Sequence, residues 1–217
     1  TATGANPSTA RSTRSFMNFT ASPMKRLLLS RAGRSKREKM SEQKPAKDYE
    51  RDIDEELAQE LKAGSPSKQR IQELVIQGAN VNAVDCDNES VLMTAIEYLS
   101  PYGGGVTLDI LRQLIALGAD VNYAMSDGDG TLFEAFLSHS PEAMELLLES
   151  GASPNIIIEG LPMLDVVEVR LDYQEANKPY SEPPEAFFIP QLQQMIKILK
   201  RYGAKSLKEI RASEGLK

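Results

Sequence analysis

The chain has 217 residues, 41% of them hydrophobic and 26% charged, with a formal net charge of −6, which is material for one core or one short repeat array plus a tail and not for several large domains. No apolar run approaches the ~20 residues needed to cross a bilayer, and Leu27-Leu28-Leu29 is too brief for the core of a signal peptide. Cys86 is the only cysteine, which excludes an intrachain disulfide and a zinc site built from several cysteines, and suits a reducing compartment such as the cytoplasm.

Charge divides the chain in two. Residues 1 to 40 carry Arg11, Arg14, Lys25, Arg26, Arg31, Arg34, Lys36, Arg37 and Lys39 against Glu38 alone, so everything downstream is acidic. An acidic remainder suits a basic protein partner and argues against phosphate-backbone binding there. The first segment is rich in Ser, Thr, Ala and Arg and shows no sustained period, which predicts a disordered tail over 1–47. Three readings fit it: an organelle transit peptide, a basic arm for nucleic acid, or an upstream extension before a start at Met24 or Met40. The residue at position 1 is Thr and not Met, which favours the third.

From about Asp48 the pattern turns helical. Asp52, Asp54, Glu55 and Glu56 open a helix whose apolar residues include Leu57, Ala58 and Leu61, and acidic side chains suit a helix N-terminus. Gly64-Ser65-Pro66 stops it. Ser67 caps a second helix, with Ile71, Leu74 and Val75 on one face and its end at Gly78. The short loop makes the two antiparallel.

The second helix recurs. Ile71, Leu111, Met144 and Ile196 each lie seven residues before a glycine, and Leu74, Leu114, Leu147 and Leu199 four before it; the glycines Gly78, Gly118, Gly151 and Gly203 are each followed by Ala. Such a glycine stops the helix by taking the left-handed conformation. The four glycines are 40, 33 and 52 residues apart. A unit of 33 residues holding a turn and two helices is the period of the ankyrin repeat, and the longer intervals read as the same unit with insertions. The first helices agree in part with the family pattern Gly-x-Thr-Pro-Leu-His-x-Ala: Asn88 to Ala95 keeps Leu92 and Ala95, Gly128 to Ala135 keeps Gly128, Leu132 and Ala135, and Gly160 to Val167 keeps Gly160 and Leu164. On these residues the chain resembles the ankyrin-repeat family.

That resemblance implies an all-α, ankyrin-type helical-repeat solenoid of four units over 48–210, the first and last acting as caps, followed by a flexible end at 211–217. Stacked pairs bury a shared apolar seam and leave turn fingers along one edge, a surface suited to protein recognition. Mapped by register, the family's exposed positions fall on the finger residues Cys86, Asp87, Glu89, Ser126, Asp127, Asp129, Glu159 and Leu161, and late in the first helices on Glu97, Tyr98, Leu137, Ser138, Val169 and Arg170. Tyr102, in the Pro101-Tyr102-Gly103-Gly104-Gly105 insertion, joins the candidate partner-binding set. The second insertion, Leu171 to Pro190, reads as a long loop with two readings, a second epitope or, the favoured one, Phe187 and Phe188 folding back on the last repeat.

The sequence does not point to catalysis. Asp127-Gly128-Asp129-Gly130 and Asp85-Cys86-Asp87-Asn88 echo calcium loops but lack the closing glutamate, and read as turns. His139, the only histidine, is placed in a loop before a helix that Ser140 caps and Pro141 starts, away from Cys86. No phosphate loop, HExxH or CxxC occurs. The expectation is a non-enzymatic module, without cofactor or metal, that binds a basic protein through its fingers and concave helix face, with no small-molecule substrate, no membrane, and nucleic acid only through the tail. The rival is an inhibitor that occludes one specific enzyme or toxin.

Overall fold

The computed structural model describes residues 51–99, 105–125, 128–177 and 188–213. Four helix pairs follow in order: α1 (Asp52–Lys62) with α2 (Lys68–Ile76), α3 (Val91–Glu97) with α4 (Leu108–Ala116), α5 (Thr131–Leu137) with α6 (Pro141–Glu149), and α7 (Met163–Asn177) with α8 (Ile189–Arg201). A short helix α9 (Leu207–Ser213) comes last. Between pairs runs a tight antiparallel turn. Before α7 it forms β1 (Ile157–Ile158) and β2 (Leu161–Pro162), with Ile157 opposite Pro162 and Ile158 opposite Leu161. In the two earlier turns it shrinks to single bridges, Val84 with Ser90 and Ala124 with Gly130.

Each second helix stops in one way. Gly78, Gly118, Gly151 and Gly203 have φ of 106°, 98°, 95° and 83°, where a side chain would be strained. The glycine N–H donates three residues back and the following alanine N–H five back, for instance Gly118 to the Ile115 carbonyl at 3.0 Å and Ala119 to the Leu114 carbonyl at 3.0 Å. This is the Schellman arrangement, and it satisfies the last carbonyls of the helix. The carbonyl reached by the alanine belongs each time to Leu74, Leu114, Leu147 or Leu199, all essentially buried, and the alanines are buried too. Starts are equally local: Ser67, Ser90 and Ser140 accept from Arg70, Met93 and Ala143 backbone N–H groups at 3.3, 3.2 and 3.1 Å.

The seam is continuous. Leu92, Leu132 and Leu164 of the first helices are buried, as are Ala95, Ala135 and Val167 behind them. The first helices α1, α3 and α5 pack in succession, the second helices α4 and α6 pack on each other, and α8 packs on α6 and α7. Ile71, Leu111 and Met144 are fully buried, whereas Ile196, at the equivalent position, is half-buried because no further pair stacks on α8; Met195 takes the buried place.

Asparagines lace the pairs together on the turn side. The Asn82 carboxamide donates to the Gly118 carbonyl at 2.9 Å and accepts from the Asp120 N–H at 2.7 Å. Asn122 does the same with Gly151 and Ser153, and Asn155 with Gly203 and Lys205. The first pair lacks such an asparagine. There the Arg51 guanidinium donates to the Gly78 carbonyl at 2.9 Å while the Asp54 carboxylate accepts from the Asn80 N–H at 2.7 Å, and the two side chains pair at 2.7 Å. An ion pair thus reproduces the donor and acceptor of a carboxamide. Asp54 is nearly fully buried, and its pKa is held below the usual carboxylate value by the Arg51 hydrogen bond above all, against the opposing effect of burial.

The insertion expected as a loop from Leu171 is helical as far as Asn177: α7 has 15 residues where α3 and α5 have seven. No proline interrupts Leu171–Asn177, and Leu, Gln, Glu and Ala favour the helix. Among the described residues no helix is long and apolar enough to cross a membrane.

Candidate functional site: the fingers and the first-helix face

The fingers are turns built by their own side chains. In the first, Asp85 Oδ1 accepts from the Asp87 and Glu89 N–H groups at 2.9 and 2.8 Å, and Asn88 takes a left-handed φ of 62°. Burial is the main cause that raises the Asp85 pKa, partly offset by those N–H groups. Its carboxylate therefore serves the turn, as the reading of this stretch as a turn requires. Fingers also touch each other. Tyr123 Oη donates to the Asn88 carbonyl at 2.7 Å, and a Cβ placed on Gly128 would lie 2.4 Å from the Ile157 carbonyl oxygen.

Of the candidate residues, Asp87 and Glu97 are exposed, and Glu89, Tyr98, Leu137 and Arg170 are half-buried. Arg170 lies with Cζ 5.9 Å from the centre of the Tyr173 ring. Asp129 departs from expectation. It is buried, 7% exposed, and its carbonyl accepts from the Met125 N–H at 2.6 Å beside the Ala124–Gly130 bridge, whereas Glu89, at the same place in the first finger, is half-buried. Tyr102, Ser126 and Asp127 lie outside the described residues.

An apolar row escaped the sequence reading. Val84, Ala124 and Ile157 occupy one position, six residues after each helix-ending glycine, and all three are exposed, Val84 at 38% and Ile157 at 47%. Around them the charge has one sign. Across 79–98, 119–138 and 152–170, the three fingers with their first helices, Arg170 is the only Lys or Arg, against acids in every segment. On the second helices, by contrast, several cations are paired: Lys68 with Asp109 at 3.1 Å, Arg70 with Glu56 at 3.0 Å, Lys200 with Glu168 at 2.9 Å, and Arg201 with Glu145.

His139 and Cys86 are apart in the fold. Cys86 is exposed on the first finger, while His139 is in the turn between α5 and α6, its ring stacked on Phe188 with centroids 3.7 Å apart. Burial, and then the Arg170 charge, lowers the His139 pKa to about 4, so the imidazole is neutral. Phe188, expected on the last repeat, stacks on His139 of the preceding unit; Phe187 lies outside the described residues. Among the described residues no group of three His, Cys, Asp or Glu side chains is arranged to hold a metal.

Stacked helix pairs joined by tight turns, with one polar lattice along the turn side, define a helical-repeat protein whose working surface is open. Residues 61–158 match the family model of ankyrin repeats in three copies, which bears out the ankyrin-repeat resemblance over that stretch. No curated protein matches the chain. Ankyrin repeats indicate a protein–protein interaction module and are typically non-catalytic.

Proposed function

We propose that this protein binds a basic protein partner along the finger edge and the first-helix face. In this reading the array has four units over 48–210, with α1–α2 and α7–α8 as its end units. The observation that carries the proposal is the segregation of charge: Lys68, Lys200 and Arg201 on the second helices pair with carboxylates of neighbouring helices, and the finger side keeps Asp87, Asp120 and Glu159 exposed around the apolar row of Val84, Ala124 and Ile157. Carboxylates around apolar anchors steer a cationic partner and then hold it by burial.

The test is proximity labelling in cells with the full chain and with a variant carrying Asp87→Lys, Asp120→Lys and Glu159→Lys, followed by surface plasmon resonance on the recovered proteins. Recovered partners should be basic and lost with the variant. Raising salt should slow their association more than it speeds their release. Partners recovered equally by both chains would overturn the proposal.

A further inference from the structure

The basic-partner reading leaves open where the partner's grip is strongest, and α7 supplies an answer. Its first turns follow the repeat register and are buried at Met163, Leu164, Val166 and Val167. From Val169, the level at which α3 and α5 end, it does something else. Val169, Tyr173 and Ala176 fall at i, i+4 and i+7, so they share one side of the helix, and all are exposed, Val169 at 45% and Tyr173 at 54%. Gln174, on the other side, is buried. The extension is thus amphipathic with its apolar stripe facing solvent.

The repeats themselves do not require the rest of this stripe, because α3 and α5 end at the level of Val169, before the positions of Tyr173 and Ala176. The position equivalent to Val169 is Glu97, exposed, in α3 and Leu137, half-buried, in α5, so this row is charged in the first of the three helices and apolar in the other two. Asp172, exposed, lies within the stripe, and Arg170 beside it is turned onto the Tyr173 ring. A large aromatic held on a rigid helix, with aliphatic neighbours and a carboxylate, is the composition of an interface hot spot.

We infer that Val169, at the end of the length α7 shares with α3 and α5, and Tyr173 and Ala176 on the extension beyond it anchor the partner, taking an apolar side chain of a basic segment while Asp172 and the finger carboxylates take its cations. This inference rests on the reading of a basic partner, and one experiment separates the two. Two synthetic peptides are titrated by fluorescence anisotropy at low salt against the full chain: one with a Trp-Leu pair among arginines, the other with Ser-Ser in place of that pair. Tyr173→Ala should weaken the first peptide by about tenfold or more and leave the second unchanged. Val169→Ala should move it in the same direction, with circular dichroism confirming the fold of both variants. Asp87→Asn with Asp120→Asn should weaken both peptides. If Tyr173→Ala binds the first peptide as tightly as wild type, the anchor is wrong while the basic-partner reading stands. If neither peptide binds, both fall. A concentration-dependent dimer in sedimentation that Tyr173→Glu dissolves would assign the stripe to a second copy and overturn the inference as well.

Discussion

Asn122 sits in the middle of the asparagine lattice, and removing its side chain measures what that lattice contributes. In the Ala variant two hydrogen bonds between successive units disappear, the donation to the Gly151 carbonyl at 3.1 Å and the acceptance from the Ser153 N–H at 2.8 Å. A net hydrogen bond contributes about 1 kcal/mol, and water reaches the exposed groups left behind, so Asn122→Ala should cost ~1–2 kcal/mol. In a chain of this size that lowers the melting temperature by about 2–8 °C. Asn122→Asp is the sharper probe. It keeps the acceptor for Ser153 but turns a carboxylate toward the Gly151 carbonyl, replacing a donor with a like partial charge. At neutral pH it should therefore cost more than Ala, and part of that excess should vanish as the carboxylate protonates near pH 4. Urea denaturation of the three proteins at pH 7 and pH 4 reads the order. An Asn122→Ala midpoint equal to wild type, or an Asp variant more stable than Ala at neutral pH, would show that packing alone holds the units in register.

Three more outcomes follow from the same geometry. His139, with its pKa lowered to about 4 from 6.5, binds its proton more weakly folded than unfolded, so its stabilising effect is complete above pH 6.5 and is lost as pH falls toward 4. Between pH 7 and pH 5 the urea midpoint should report a loss of at most ~2 kcal/mol that His139→Asn, tolerated at this positive φ, does not show. Gly128→Ala and Gly151→Ala both place a side chain at positive φ, 91° and 95°, but only the first meets an obstacle, the Ile157 carbonyl. Thermal melts should give ~1–2 kcal/mol for Gly151→Ala and clearly more for Gly128→Ala. Because the Asp54 pKa is lowered, its contribution is present above the ordinary carboxylate value of 3.8 and fades as pH falls through its folded value. Arg51→Ala should raise that threshold and speed hydrogen exchange at the Asn80 N–H, measured by NMR, without changing α5 or α6.

What could be read from the sequence was what local chemistry decides. A helix that must end sharply needs positive φ, and four Gly-Ala pairs at fixed distance from buried leucines announce it; Ser67 and Ser140 cap because a hydroxyl there meets an orphan N–H three residues on. The lattice was less visible although its asparagines stand in the same recurring pentapeptides, because the carbonyls they reach belong to the next unit. Nothing local marks Arg51 and Asp54 as the counterpart of an asparagine, since two residues of other types share the task. Asp129 shows a further limit: Glu89, its register equivalent, makes the same backbone bond yet is half-buried where Asp129 is buried, so register along a finger does not set burial. Charge shows the same limit from the other side. The sequence states a net value, and only the fold reveals that Lys68, Lys200 and Arg201 find carboxylates on neighbouring helices, whereas Asp87 and Glu159 have no cation near them in sequence or on neighbouring fingers. An ion pair inside the scaffold and a carboxylate offered to solvent count alike in a net charge, yet only the second draws a partner, so the acidity that bears on binding is that of the fingers and not that of the chain.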